Sequence, residues 1–81
     1  MDAMVALDMA VKSKLEDTFG KGIAMLIVAN AFNAASTPIV GLDKGNYLQL
    51  IQAICCDPRV KNMWGDAGAR AQQEEWAKLV D

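Results

Sequence analysis

Histidine is absent from this 81-residue chain, and cysteine and proline occur only twice each. Without histidine, the chain lacks the most common general base of enzymes and a frequent zinc ligand. The two cysteines, Cys55 and Cys56, are adjacent and therefore lack the C-x-x-C spacing of zinc-binding and redox motifs. The sequence thus predicts no catalytic, cofactor-binding or metal-binding residues, and we expect a protein that is not an enzyme.

Positive charge is also sparse in this sequence. Eight Lys and Arg residues stand against ten Asp and Glu residues, which gives a net charge of −2. The basic residues are spread along the chain, whereas nucleic-acid-binding proteins gather them into a patch. Asp2 and Asp8 stand where a secretory signal peptide would be positive. We therefore expect a cytoplasmic protein and regard nucleic acid as an improbable partner.

Charged residues are missing altogether between Gly22 and Leu42. The first half of this run places apolar side chains on every side of a helical wheel, which is typical of a helix that is buried or in a membrane. Polar residues from Asn30 onward keep the apolar segment shorter than the roughly 20 residues that cross a membrane. We predict no membrane span and a buried central helix that ends near Ala35, with Leu26, Ile27 and Phe32 in the core.

Apolar residues at helical spacing predict further helices on both sides of the central one. The first helix runs from Asp2 to about Asp17, with an apolar stripe that extends to Phe19, and Gly20 ends it by adopting a left-handed conformation. A breaker formed by Ser36, Thr37 and Pro38 follows the central helix. Asp43 then caps a third helix, which stops before Pro58. Its inward stripe comprises Tyr47, Leu48, Leu50, Ile51, Ile54 and Cys55.

Two more helices are predicted after Asp57, which is a helix cap followed by a proline suited to the first helical position. A short helix runs from Pro58 to Trp64, turns Val60, Met63 and Trp64 inward, and ends at Gly65. Asp66 caps the last helix, which reaches about Val80. We therefore predict an all-α fold: a compact, irregular bundle of four helices plus one short helix, forming a single domain over residues 1–81.

The hydrophobic content of 53% exceeds what a solvated monomer of this length needs to bury. We therefore predict a homodimer in which two central helices approach closely at their small residues, with Asn30 and Asn33 paired across the axis. These small residues are Ala29, Ala31, Ala34 and Ala35. Trp64 is expected to point inward, and it would be a candidate anchor for a partner if its side chain were exposed. The leading functional hypothesis is a small non-enzymatic protein–protein interaction or regulatory module that acts through a helical surface, its partner being a second copy or another protein of unknown identity.

Two alternatives come from other functional classes. A helix-turn-helix regulator would use the third and the short helix to present Arg59, Lys61 and Asn62 to DNA. A thiol-based redox sensor would use Cys55 and Cys56, because neighbours on a helix point about 100° apart, so that one thiol is buried while the other is exposed. An exposed thiol beside Arg59 or Lys61 would have a lowered pKa.

Overall fold

The computed structural model of the protein describes residues 1–37 and 41–80. Helix α1 (Ala3–Ala6) continues through a π-helical turn (Leu7–Val11) into α2 (Lys12–Phe19), so that these three segments form one continuous rod. Helices α3 (Lys21–Ala35), α4 (Lys44–Cys55) and α5 (Pro58–Lys78) follow, and the described residues contain no strand. The predicted all-α fold is confirmed. In the described ranges, no helix combines the length and the apolar character needed to cross a membrane.

The π-helical turn keeps the apolar stripe of the first rod on one face. Ala3, Leu7, Val11 and Leu15 recur every four residues, and all four are buried. Because an α-helix has 3.6 residues per turn, a four-residue spacing drifts around the helix at each step. In the wider π turn, the N–H of Lys12 donates to the carbonyl oxygen of Leu7, five residues earlier. This turn offsets part of the drift, so the stripe remains against the core.

Helix α4 lies at the centre of the bundle, packed between α3 and α5, while α3 also packs against α2. Four of its side chains are completely buried: Tyr47, Leu50, Ile51 and Ile54. The hydroxyl of Tyr47 donates a hydrogen bond of 2.9 Å to the carbonyl oxygen of Trp76 in α5. The predicted inward stripe of the third helix is therefore confirmed, and it forms the middle of the core.

Within a single chain, helix α3 is buried on one face only, so the flanking helices alone do not supply the cover on all sides that its apolar wheel led us to expect. Ile27 is completely buried as expected, but Leu26, which was expected in the core, is 51% exposed. Phe32 is half-buried. The physical reason is that α3 packs against two neighbours, α2 and α4, and its third side faces solvent.

Two glycines form sharp corners between consecutive helical segments. Gly20 has φ 85° and ψ 162° between α2 and α3, and Gly65 has φ 76° and ψ 166° inside α5. These angles are not the left-handed helical conformation expected for Gly20, but an extended region with positive φ that only glycine enters without strain. The predicted break at Gly65 is therefore present, although the short and the last helix join as one kinked helix, α5.

Aspartate caps start α4 and α5 as predicted. The carboxylate of Asp43 accepts a hydrogen bond of 2.8 Å from the backbone N–H of Asn46, and that of Asp57 accepts one of 2.8 Å from the N–H of Arg59. Asp66, in contrast, makes no side-chain hydrogen bond within the described part of the chain. Met63 was expected to point inward but is 57% exposed. Pro38, the third residue of the predicted breaker, lies outside the described residues.

Because of the corner at Gly20, alanine substitutions at Gly20 and Gly22 should change the free energy of unfolding in opposite directions. Gly20→Ala should lower the free energy of unfolding by about 1–3 kcal/mol, because alanine is strained at this backbone conformation. Gly22→Ala should raise it by about 0.5–1 kcal/mol, since Gly22 is helical and a Cβ there meets no atom within 4 Å. Urea denaturation of the two variants measures both values. A stabilised Gly20→Ala variant would contradict the positive φ of Gly20 at this corner.

Ile27 and Met63 provide a matched test of the core. Ile27→Ala should cost about 2–5 kcal/mol, because the side chain is completely buried and its removal leaves a cavity. Met63→Ala should change the free energy of unfolding by less than about 0.5 kcal/mol, as is usual for a solvated position. Chemical denaturation followed by circular dichroism gives the comparison, and equal costs for the two variants would refute the described core.

Candidate interaction surface

The solvent-facing side of α3 carries no charged residue beyond Lys21 at its start. We call this surface the α3 face; its exposed residues are Gly22, Ile23, Met25, Leu26, Ala29, Asn30, Asn33 and Ala34. Met25 is 72% exposed, Leu26 51% and Ile23 39%. Keeping apolar surface in water costs roughly 25 cal/mol per Å², and contiguous apolar patches on soluble domains commonly mark interaction sites. The α3 face is therefore the strongest candidate for a functional surface.

A groove runs along one edge of the α3 face, between α2 and α3. This α2/α3 groove has a volume of about 360 Å³. Its apolar lining comes from α3, and Lys12, Glu16 and Lys21 supply the charged groups along it; the apolar residues are Ala24, Met25, Val28, Ala29 and Phe32. Because Met25 and Ala29 belong to both surfaces, the groove and the α3 face form one continuous apolar area.

The charges along the groove differ in whether they are already paired. The ammonium of Lys12 lies 3.2 Å from a carboxylate oxygen of Asp8, one turn earlier on the same rod. The side chains of Glu16 and Lys21 form no ion pair or hydrogen bond within the described residues. Besides the paired Lys12, the groove therefore offers one unpaired negative group and one unpaired positive group, and the rest of its lining is apolar.

The four small residues predicted at a helix–helix interface differ in accessibility, and only two of them are exposed. Ala31 is only 3% exposed and belongs to the core, so it is not accessible to a partner in this fold. Ala35 is half-buried, while Ala29 and Ala34 are exposed. The sequence indicated the uncharged helix but not which of its sides faces solvent, since the wheel is apolar all round. Glu16, Lys21 and Met25 were not predicted as candidate site residues, because the groove that they line exists only once α2 packs against α3.

Trp64 is mostly engaged inside the protein. Its ring centroid lies 6.0 Å from that of Phe19 and 6.1 Å from that of Trp76, the latter in an edge-on arrangement. The ammonium of Lys14 lies 5.9 Å from the same ring centroid, within the range of a cation–π contact. These contacts join α2 to the segments of α5 on either side of the kink at Gly65, and they leave only part of the Trp64 side chain for a partner.

The two cysteines differ in accessibility. Cys55 is 3% exposed, and this burial, with a smaller contribution from the charge of Cys56, raises the pKa of its thiol to about 12. Cys56 is exposed. It lines a cleft of about 260 Å³ with Lys61 and Arg70. In the described part of the chain, no three His, Cys, Asp or Glu side chains are grouped to hold a metal ion.

The partly exposed side chain of Arg59 is paired with Asp57. Its guanidinium donates hydrogen bonds of 3.1 and 3.2 Å to the two carboxylate oxygens of Asp57. Burial alone would raise the pKa of Asp57, but the hydrogen bonds and charge of Arg59 outweigh burial and lower it. Arg59 is thus tied to the cap of α5, which leaves Lys61 and Asn62 as the exposed polar residues of the proposed DNA-reading turn.

Comparison with protein-family models, with curated proteins and with solved structures finds no match to this chain.

The different accessibility of the cysteines predicts selective labelling. In the folded protein, one thiol per chain should react rapidly with a thiol-specific reagent at neutral pH, because Cys55 is buried and stays protonated well above pH 7. Cys56→Ser should abolish this rapid phase, and Cys55→Ser should retain it. The measurement is the absorbance of the released chromophore, with both thiols reacting in denaturant as the control. Two rapid thiols in the native wild type would contradict the burial of Cys55.

Proposed function

We propose that this protein is a small non-enzymatic interaction module that acts as a homodimer through the α3 face. The observation that carries the proposal is the exposure of Met25, Leu26 and Ile23 on a helix side that has no charged residue. Solvated helices usually place charged residues on the side that faces water. A second helix surface laid on the α3 face would remove these side chains from water.

The composition of the α3 face suits close packing between helices. Ala29 and Ala34 are small and exposed, and each lies three or four residues from a larger apolar residue or an asparagine. Small residues permit a close approach of two backbones, and Ala29 and Ala34 are two of the four alanines that the sequence led us to expect there. Asn30 and Asn33 are also exposed, and their amides can exchange hydrogen bonds across a two-fold axis.

Leu26→Glu tests this proposal. A carboxylate in the centre of an apolar interface loses its hydration without a partner, so the dimer Kd should rise by about a hundredfold. Met63→Glu is the matched control, because Met63 is similarly exposed but belongs to α5 and not to the α3 face. Light scattering over a range of concentrations measures the mass, and circular dichroism verifies that both variants remain folded.

The wild-type protein and Met63→Glu should have twice the 8.7 kDa mass of the chain, and Leu26→Glu should have the mass of one chain. A wild type that remains at 8.7 kDa up to submillimolar concentration would refute the homodimer. Ala31→Glu is unsuitable as a test, because Ala31 lies in the core and a charge there would unfold the chain.

A further inference from the structure

We infer that the two copies of the proposed homodimer pair around the α2/α3 groove: Glu16 of each copy contacts the partner's Lys21, and each groove receives the partner's Met25. This inference rests on the proposed function and specifies the contacts of the same surface. Its basis is that two unpaired groups of opposite charge, an exposed flexible side chain and an apolar groove all lie together on one side of the molecule.

Symmetry makes the charge pattern self-complementary. In a two-fold dimer, whenever residue i of one copy contacts residue j of the other, residue j of the first contacts residue i of the second. A single contact between Glu16 and the partner's Lys21 is therefore accompanied by a second, identical contact. Both groups are exposed and unpaired in the single chain, so neither has to leave an existing ion pair.

The shape of the apolar surface is also self-complementary. Met25 is 72% exposed and projects beside the groove. Ala29, one turn later on the same helix, is small, and Val28 and Phe32 provide apolar surface on the groove side. The unbranched thioether of methionine adapts to irregular spaces. Each copy thus presents a projecting Met25 next to a recess at Ala29, and a two-fold arrangement places each side chain in the opposite recess.

A second copy accounts for more of the surface than a small ligand does. A small amphipathic molecule in the groove would leave Leu26 and Ile23 in water, because neither residue lines the groove. A ligand with a charged head group would favour a groove of one sign, whereas this groove carries unpaired groups of both signs. The second copy supplies both matching charges and an apolar surface that covers the whole α3 face.

Charge reversal with mixing provides a sharp test. Glu16→Lys and Lys21→Glu should each raise the dimer Kd by about tenfold, because each turns two attractive contacts into two repulsive ones. The double variant Glu16→Lys/Lys21→Glu should recover the wild-type Kd. Mixing the two single variants in equal amounts should produce a heterodimer with a Kd near the wild-type value. In this heterodimer, both contacts between position 16 of one copy and position 21 of the other join opposite charges.

The mixing experiment shows whether the effect of charge reversal comes from a contact between the two copies or from a change within one chain. If Glu16 and Lys21 acted only within their own chain, recovery in the double variant would still be possible, but mixing would not restore the single variants. Asp17→Lys is the control, because Asp17 is an exposed α2 carboxylate that does not line the groove. The effects of charge reversal should also shrink as salt is added. Analytical ultracentrifugation gives all the Kd values.

The outcomes distinguish this inference from the proposed function. A tenfold loss in both single variants together with recovery on mixing supports the reciprocal contacts. Single variants with a wild-type Kd, or variants that are not restored by mixing, would overturn them. If Leu26→Glu nevertheless gives a monomer, the homodimer through the α3 face stands and only the pairing around the groove is wrong. A wild type that is monomeric at every concentration would refute both.

Discussion

The rest of the structure depends on the burial of helix α4. Four of its inward residues are completely inaccessible to water, and the hydrogen bond of Tyr47 to the carbonyl oxygen of Trp76 satisfies a polar group within that core. Because burial of large apolar side chains is the main favourable contribution to folding, the other helices are arranged to cover α4. Helices α3 and α5 both pack against it, and the first rod packs on α3. With α3 and α5 against α4, the described residues contain no further helix to cover the outer side of α3.

Local sequence signals predicted much of this architecture. The apolar stripe through Leu7, Val11 and Leu15, the caps at Asp43 and Asp57 and the stop at Gly20 depend on residues close together in the chain, and all of them are present; Ala3, not the expected Met4, begins the buried stripe. The π-helical turn was not predicted, although its cause is visible in the sequence: an apolar spacing of four that an α-helix cannot maintain on one face. Sequence spacing therefore contains more information on helix type than a simple amphipathic pattern uses.

The candidate site was harder to predict, for a physical reason. Leu26 and Ile27 are adjacent and equally apolar, yet one is half-exposed and the other completely buried. Hydrophobicity cannot distinguish them, because the number of neighbouring helices around α3 is a property of the whole fold. The same holds for Ala31 and Ala29, which are identical in type and differ only in the side of the helix on which they lie. What the sequence did indicate is that α3 has no charged side, and hence that any exposed part of it would be apolar.

The corner at Gly20 makes the length of the first hairpin critical. Only one residue separates α2 from α3, so no flexible loop can absorb an insertion or a deletion there. One added residue would turn α3 by about 100° around its axis relative to α2. Such a rotation would carry Ile27 away from the core and replace it with side chains that now face solvent. Related chains that keep this fold should therefore keep the number of residues that join α2 to α3, and should accept changes of residue type on α3 more readily at exposed positions than at the buried ones.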